Sequence, residues 1–159
     1  MPELEQEIGS LLRRKSLTLG VVESATGGLI SHLITNVAGS SDYYKGSVIS
    51  YSNEVKSKVV GVKEETLNKY GAVSSQVVEE MAQGGRRLLN VDICLADTGI
   101  AGPGGDTQEK PVGLFYIGLS HKNGTYSLKH EFSGNREQNK SSAAGTVLSW
   151  LKESLVNLT

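Results

Sequence analysis

The feature that most constrains the fold of this chain is the alternation of apolar runs with helical stretches. Residues 17–22 and 91–96 are compact and apolar, and residues 46–52 alternate and are rich in β-forming side chains, so each reads as a strand. Between consecutive runs, apolar residues recur at helical spacing. Because parallel strands need such crossover connections, we expect the three strands to be parallel in a layered α/β domain.

A later part of the chain carries a different signal. Residues 113–120 and 125–132 read as two strands joined across Lys122-Asn123-Gly124, and Asn-Gly is a strong hairpin signal. The hairpin adds one antiparallel strand, so the predicted sheet is mixed. The strand 125–132 carries Lys129, His130 and Glu131 and is the better candidate for a sheet edge. At 159 residues, the chain fits one domain spanning 1–159.

Apolar spacing and turn signals also place the helices. Gly84-Gly85, inside one of them, predicts close packing or a bend. The glycine-rich stretch 97–106 is predicted to be irregular, and residues 133–137 to form a polar turn. The predicted helices are 4–15, 29–37, 54–60 capped by Asn53, 64–70, 74–89 and 141–155.

Composition excludes several classes of protein. The formal net charge is −1, so the chain lacks the basic footprint of a nucleic-acid-binding protein. No apolar run approaches membrane-spanning length, and the acidic N-terminus lacks a signal-peptide core. Cys94 has no cysteine partner and lies in an apolar run, which favours a buried, inert thiol. We therefore expect a soluble cytoplasmic protein without nucleic-acid or membrane partners.

The segment Glu23-Ser24-Ala25-Thr26-Gly27-Gly28 lies between a predicted strand and a predicted helix. Such a turn exposes a hydroxyl and aims free N–H groups of the helix N-terminus at whatever the hydroxyl touches. That suits a serine nucleophile with an oxyanion or phosphate site beside it. Serine and threonine are also favoured as N-caps, so a purely structural role stays open.

Two further segments end at the same predicted edge of the sheet, where α/β proteins bind ligands. Lys56 lies in the first turn of the helix after the second strand, close to Tyr51. A desolvated lysine at this place has a lowered pKa and can act as a general base, giving a serine–lysine arrangement with Ser24. The alternatives are a solvated Lys56 and a Tyr51 that only packs on the strand face.

The glycine-rich loop that begins at Thr98 can present several N–H groups to an anion, although it matches neither the P-loop nor the dinucleotide fingerprint. Arg136 could bind a phosphate with its forked guanidinium. A flexible surface loop and a surface arginine are the open alternatives. The three histidines and Cys94 lack metal-ligand spacing, so no metal site is predicted.

Taken together, these segments resemble the CinA C-terminal domain family, the nicotinamide-nucleotide amidohydrolases also called PncC. The resemblance spans nearly the whole chain, in order, and the chain looks like the stand-alone form of this module. Ala25 stands where many members have cysteine, and Asn139-Lys140 stand where members often have a second arginine. The matching motifs are Glu23-Ser24 with Thr26-Gly27-Gly28, Gly39-Ser40-Ser41, Tyr51-Ser52-Asn53-Glu54 with Lys56, Gly61-Val62, Gly71-Ala72-Val73-Ser74, Thr98-Gly99-Ile100-Ala101-Gly102-Pro103, Glu109-Lys110-Pro111-Val112-Gly113, and Phe132-Ser133-Gly134 with Arg136.

The resemblance implies a three-layer α/β/α sandwich with a mixed, mostly parallel sheet. It implies hydrolysis of the carboxamide of nicotinamide mononucleotide to nicotinic acid mononucleotide and ammonia, in pyridine nucleotide salvage, without metal or organic cofactor. Ser24 would be the nucleophile, Lys56 the base and Tyr51 an assisting hydroxyl. The substrate-binding residues implied are Thr26, Gly27, Gly28, Asn53, Thr98, Gly99, Gly102 and Arg136.

Two functions from different classes stay open at this point. The first is the amidohydrolase, and the second is a non-catalytic nucleotide-binding or interaction module that uses the same pocket. Binding alone does not require Ser24, Tyr51 and Lys56 together, which favours the enzyme. The resemblance, together with a sheet edge that needs protection, also predicts a homodimer or a higher homo-oligomer.

Overall fold

The computed structural model describes residues 3–158, which form one five-stranded mixed sheet covered by helices on both faces. The strands are β1 (Leu19–Glu23), β2 (Tyr44–Ile49), β3 (Ile93–Gly99), β4 (Leu114–His121) and β5 (Gly124–Glu131). Their order across the sheet is β2-β1-β3-β4-β5. Strand β1 pairs parallel with β2 and β3, whereas β4 runs antiparallel to both of its neighbours.

The helices form two layers, one on each face of the sheet. One layer contains α1 (Glu3–Lys15), α2 (Leu29–Thr35) and α6 (Arg136–Asn157), and the other contains α4 (Glu64–Tyr70) and α5 (Ser75–Leu89). A short α3 (Asn53–Val55) runs directly into a π-helical turn, Lys56–Val60. The predicted fold class, a three-layer α/β/α sandwich with a mixed, mostly parallel sheet, is confirmed.

Strand periodicity explains how one sheet serves two cores. Within β1, Val21 packs among α1, α2 and α6, while the next residue, Val22, packs against α5. The sheet lies close to α5 because Gly85 leaves room for the side chains of Val22 and Cys94, and the π-helical turn lies close to α5 because Gly84 leaves room for the backbone of Val60. The close packing predicted from the double glycine is confirmed.

Several predicted boundaries are wrong. Strand β2 was predicted over 46–52 but spans Tyr44–Ile49, where it pairs with β1. Long-range pairing also explains the shift at the end of β3. Asp97, Thr98 and Gly99 were predicted to be irregular, yet they extend β3, because β4 pairs with them through Tyr116 and Phe115. Helix α6 begins at Arg136 instead of the predicted residue 141, because Asn135 and Gln138 form a capping box. Ser52, not Asn53, caps α3, through a bond from the Val55 amide to the Ser52 hydroxyl.

Other expectations from the sequence are met. Strand β5 is a sheet edge, and Cys94 is a buried free cysteine whose thiol pKa is raised by burial to about 12. Among the residues described, no helix is long and apolar enough to span a membrane. The carboxyl ends of β1, β2 and β3 lie at one edge of the sheet, where the predicted functional residues were expected to meet.

Candidate active site

A cleft of about 280 Å³ opens at the carboxyl ends of β1, β2 and β3. Both cationic side chains at its wall, Lys56 and Arg136, belong to the predicted site, and no acidic side chain lines it among residues 3–158. The cleft therefore suits an anionic ligand on electrostatic grounds. It brings together eight of the predicted residues: Ser24, Tyr51, Asn53, Lys56, Thr98, Gly99, Gly102 and Arg136.

Ser24 and Lys56 are in direct contact inside this cleft. The Lys56 ammonium nitrogen, Nζ, lies 2.9 Å from the Ser24 hydroxyl oxygen, Oγ. Both side chains are buried, Lys56 to 1% exposure, so the alternative of a solvated Lys56 is wrong. Ser24 follows the last residue of β1, and Lys56 begins the π-helical turn after β2. π-Helical turns are frequent at functional sites.

The neighbours of Lys56 allow two protonation states. Its Nζ donates to the carbonyl oxygens of Ser50 at 2.8 Å and Tyr51 at 3.2 Å. An ammonium group fills all three contacts as a donor, whereas a neutral amine donates to the two carbonyls and turns its lone pair to the Ser24 hydroxyl. Burial lowers the pKa of Lys56, and the charge of Asp97 opposes this shift. The arrangement can therefore take a proton from a serine hydroxyl.

Tyr51 and Arg136 lie together at the mouth of the cleft. The Tyr51 side chain is 63% exposed, and its hydroxyl accepts a hydrogen bond from Nη2 of Arg136 at 3.2 Å. The other terminal nitrogen of Arg136, Nη1, donates to the Gly102 carbonyl at 2.8 Å. Tyr51 thus contacts Lys56 through its carbonyl oxygen, while its hydroxyl contacts Arg136.

The cleft does not include Thr26, Gly27 and Gly28, which were predicted to bind substrate. Thr26 is fully buried, and its hydroxyl contacts the carboxyl groups of Glu23 and Asp97. Gly27 and Gly28 have positive φ angles and shape the turn before α2.

The N-terminus of α2 is closed to an external anion because Glu23 occupies it. The Glu23 carboxylate accepts from the amides of Gly28, Ile30 and Ser31 at 2.9 to 3.0 Å. The Gly27 amide donates to the Ser24 carbonyl. The expectation that free N–H groups of this helix face a ligand is therefore wrong.

Other backbone amides remain available around the cleft. No hydrogen bond found within residues 3–158 uses the amide of Ala25, the residue directly after Ser24. The same holds for the amides of Gly102, Gly104 and Gly105 in the loop that closes the cleft. These groups could donate to an oxyanion or a phosphate.

Two buried polar residues were missed by the sequence analysis as parts of this region. Asp97, near the end of β3, accepts from the amides of Ser24 and Thr26 and so fixes the turn that carries Ser24. Asn139 in α6 donates to the Ala101 carbonyl and accepts from the Gly134 amide. An acidic residue inside the apolar end of a strand was the available signal for Asp97, whereas Asn139 gave none.

No group of three or more His, Cys, Asp or Glu side chains is placed to hold a metal ion in the part of the chain that the structure describes. A second cleft, of about 320 Å³, lies at the opposite end of the sheet and contains none of the predicted site residues. Its charged and polar walls include Lys15, Arg86, Asp92, His121 and Lys122.

Comparison with known proteins assigns the family. The CinA C-terminal domain family profile matches residues 1–155. The chain belongs to the CinA C-terminal domain family. A CinA-like protein from Thermotoga neapolitana is 45% identical over 153 residues, and a putative competence-damage inducible protein from Halothermothrix orenii is 52% identical over 140 residues. These alignments cover 96% and 86% of this chain but 37% and 33% of the relatives, so the chain spans about a third of their length.

Solved structures of CinA proteins share the whole fold. The competence damage-inducible protein A from Klebsiella pneumoniae is 30% identical, with a TM-score of 0.96 over 99% of this chain and 98% of that protein. The competence/damage inducible protein CihA from Agrobacterium tumefaciens is 36% identical, with a TM-score of 0.90 over 97% of this chain and 94% of that one. The family resemblance inferred from the sequence is confirmed.

Proposed function

We propose that this CinA domain is an amidohydrolase that converts nicotinamide mononucleotide to nicotinic acid mononucleotide and ammonia. The observation that carries the proposal is the buried contact of 2.9 Å between Lys56 Nζ and Ser24 Oγ. A lysine with a lowered pKa beside a serine hydroxyl is the arrangement that serine–lysine hydrolases need.

The first half of the reaction forms an acyl-enzyme. Neutral Lys56 takes the proton of the Ser24 hydroxyl while Oγ attacks the carboxamide carbon. The Ala25 amide, next in the chain and without another acceptor within residues 3–158, is the candidate donor to the oxyanion of the tetrahedral intermediate. Protonated Lys56 then gives its proton to the leaving nitrogen, the C–N bond breaks, and ammonia departs from an ester on Ser24.

The second half releases the acid. A water molecule attacks the ester carbon, and Lys56 takes a proton from this water. The bond between Ser24 Oγ and the acyl carbon breaks, Oγ regains a proton from Lys56, and the product leaves as the carboxylic acid, which then releases its proton to solvent. The proton transfers that involve Ser24, the leaving nitrogen and the attacking water all pass through Lys56 Nζ, so these steps need no second base.

The remaining walls of the cleft fit a phosphate-bearing substrate. Arg136 and the amides of Gly102, Gly104 and Gly105 are the candidate phosphate ligands, since a guanidinium and a glycine-rich turn both bind oxyanions. The exposed ring of Tyr51 offers a face on which the cationic pyridine ring can stack. Asn53, Thr98 and Gly99 complete the pocket.

Ammonia release from purified protein tests the proposal directly. We expect release with nicotinamide mononucleotide, little release with nicotinamide, and loss of release in Ser24→Ala. Ser149→Ala on the exposed face of α6 serves as the matched control and should keep full activity. Binding of the mononucleotide by calorimetry without ammonia release would instead support a non-catalytic nucleotide-binding module.

A further inference from the structure

Two buried carboxyl groups lie directly behind Ser24 and have no part in the mechanism above. Within residues 3–158, Glu23 and Asp97 are the only acidic side chains that are buried, and both are 0% exposed. The interior of a protein rarely holds two ionised carboxylates side by side, since each ion pays a large desolvation penalty and the two repel.

The two carboxyls belong to one chain of short hydrogen bonds. Thr26 Oγ1 lies 2.5 Å from Asp97 Oδ1 and 2.6 Å from Glu23 Oε1. The other oxygen of Glu23, Oε2, lies 2.5 Å from Ser31 Oγ. Ser31 Oγ then contacts Ser47 Oγ at 2.7 Å, and Ser47 Oγ contacts the Tyr44 hydroxyl at 2.5 Å. The series of hydrogen bonds from Asp97 to Tyr44 therefore contains five oxygen–oxygen contacts, each called a link below.

The hydroxyl groups in this series of hydrogen bonds supply one proton fewer than its contacts need. Four hydroxyl groups, those of Thr26, Ser31, Ser47 and Tyr44, supply four protons, because each hydroxyl donates once. Five oxygen–oxygen contacts of 2.5 to 2.7 Å need five protons, since two lone pairs at such distances repel. The fifth proton has to reside on one of the two carboxyl groups.

The backbone donors decide which carboxyl carries this proton. Glu23 accepts from three amides at the N-terminus of α2, in addition to two hydroxyl contacts, which favours its ionised form. Among residues 3–158, the amides that donate to Asp97 are two, those of Ser24 and Thr26. Thr26 therefore donates to Glu23 and accepts from the protonated Oδ1 of Asp97.

We propose that Glu23 and Asp97 share a single proton carried by Asp97, which is a positioning residue that holds the turn at Ser24 without a negative charge beside Lys56. The benefit of a neutral Asp97 for Lys56 rests on the proposed function, because Lys56 needs to be neutral only if it acts as the general base. An ionised Asp97 would favour the ammonium form of Lys56, and protonation of Asp97 removes that attraction.

The groups around Asp97 move its pKa in both directions. Burial raises the pKa of the Asp97 carboxyl to about 6 against hydrogen bonds from Thr26 and the Ser24 amide, which lower it, and the charge of Glu23 on β1 adds to the increase. In the arrangement proposed above, the Thr26 hydroxyl donates to Glu23 instead, which removes the larger of the opposing contributions and raises the pKa of Asp97 further. Strand β4 faces Asp97 with the apolar Ile117, Lys56 approaches from the π-helical turn, and Lys140 of α6 lies beside Gly27. Loss of the proton would also break one of the five links, which raises the pKa further.

Carbon-13 NMR on the intact wild-type protein tests the proton count without relying on activity. Chemical shifts of Asp Cγ and Glu Cδ separate protonated from ionised carboxyl groups, and Asp97→Asn identifies the Asp97 signal. We expect one proton between the two carboxyl groups, on Asp97, in most molecules at about pH 7. Ionisation of both groups at this pH, or a proton on Glu23 instead, would overturn the proposal.

The titration of Lys56 Cε provides the second measurement. If Asp97 is already neutral, Asp97→Asn should leave the midpoint of Lys56 where it is in the wild type, as should the exposed control Asp106→Asn. A midpoint lowered by about one unit or more in Asp97→Asn would show that Asp97 is ionised at the pH where Lys56 titrates, which contradicts the proposed absence of a negative charge beside Lys56. Failure of the protein to hydrolyse the mononucleotide would overturn the proposed function but leave both titrations interpretable.

Discussion

Arg136 donates a hydrogen bond to the hydroxyl of Tyr51 across the mouth of the cleft, at 3.2 Å from Nη2 to the phenolic oxygen. The two residues are 85 positions apart in the chain and come from α6 and the end of β2. Nη1 of the same guanidinium binds the Gly102 carbonyl. A single side chain therefore joins the three segments that form the entrance.

The first prediction concerns this side chain. Arg136→Gln removes the charge and the forked donor, so KM for nicotinamide mononucleotide should rise by roughly 10-fold or more, because charge-assisted hydrogen bonds contribute about 1.5–3 kcal/mol. The value of kcat should change much less. Steady-state kinetics measure both, with Arg87→Gln on the exposed side of α5 as control. A fall in kcat at constant KM would mean that Arg136 acts on the chemical step.

The second prediction concerns Lys56 as the base. Lys56→Met keeps an unbranched side chain, one heavy atom shorter, that cannot accept a proton, and Lys56→Arg keeps the charge but stays protonated. In both variants kcat should fall by roughly 10² or more, the usual scale for a lost general base. The control is Lys58→Arg, because Lys58 is exposed and forms a surface ion pair with Glu54. Near-normal turnover in either Lys56 variant would assign the lysine to substrate anchoring.

The third prediction concerns the pH dependence of activity and stability. Burial lowers the pKa of Lys56 from 10.5, so kcat/KM should rise with pH through the lowered value. Between that value and 10.5 the unfolded chain binds more protons than the folded one, and the free energy of unfolding therefore gains a positive slope with pH. Lys56→Met should lack this contribution.

Denaturant unfolding at several pH values measures that slope. The difference in stability between Lys56→Met and the wild type should shift in favour of the wild type as the pH rises towards 10.5. An identical slope in the two proteins would mean that Lys56 keeps an ordinary pKa in the folded state.

The fourth prediction concerns Asn139, which is 0% exposed and holds the glycine-rich loop against α6. Asn139→Ala leaves the Ala101 carbonyl and the Gly134 amide without this partner, so the free energy of unfolding should fall by about 1–3 kcal/mol. Asn68→Ala, on the exposed side of α4, should have little effect. Thermal or denaturant unfolding measures the free energy of unfolding of each variant. An equal loss of stability in Asn139→Ala and Asn68→Ala would contradict the role of Asn139 in holding the loop.

The sequence predicted the helices and strands well where local spacing carries the signal. Residues 64–70 form α4 within the predicted bounds, and Ser74 caps α5 as its position suggested. Boundaries moved where pairing with distant residues decides them, as at Gly99, which β4 draws into the sheet through Phe115. Local patterns contain no information about such partners.

The sequence by itself determined that Ser24 and Lys56 would follow parallel strands of one sheet, because alternation of strands and helices already places strand ends at one edge. Only the structure shows that these two strands, β1 and β2, are neighbours. Only the tertiary structure decided that Lys56 is buried beside Ser24 and that Glu23 fills the N-terminus of α2 in place of a ligand. It also brought Asp97 to Thr26. Burial and the pKa shifts that follow from it arise from contacts between residues far apart in the chain, so spacing along the sequence cannot supply them.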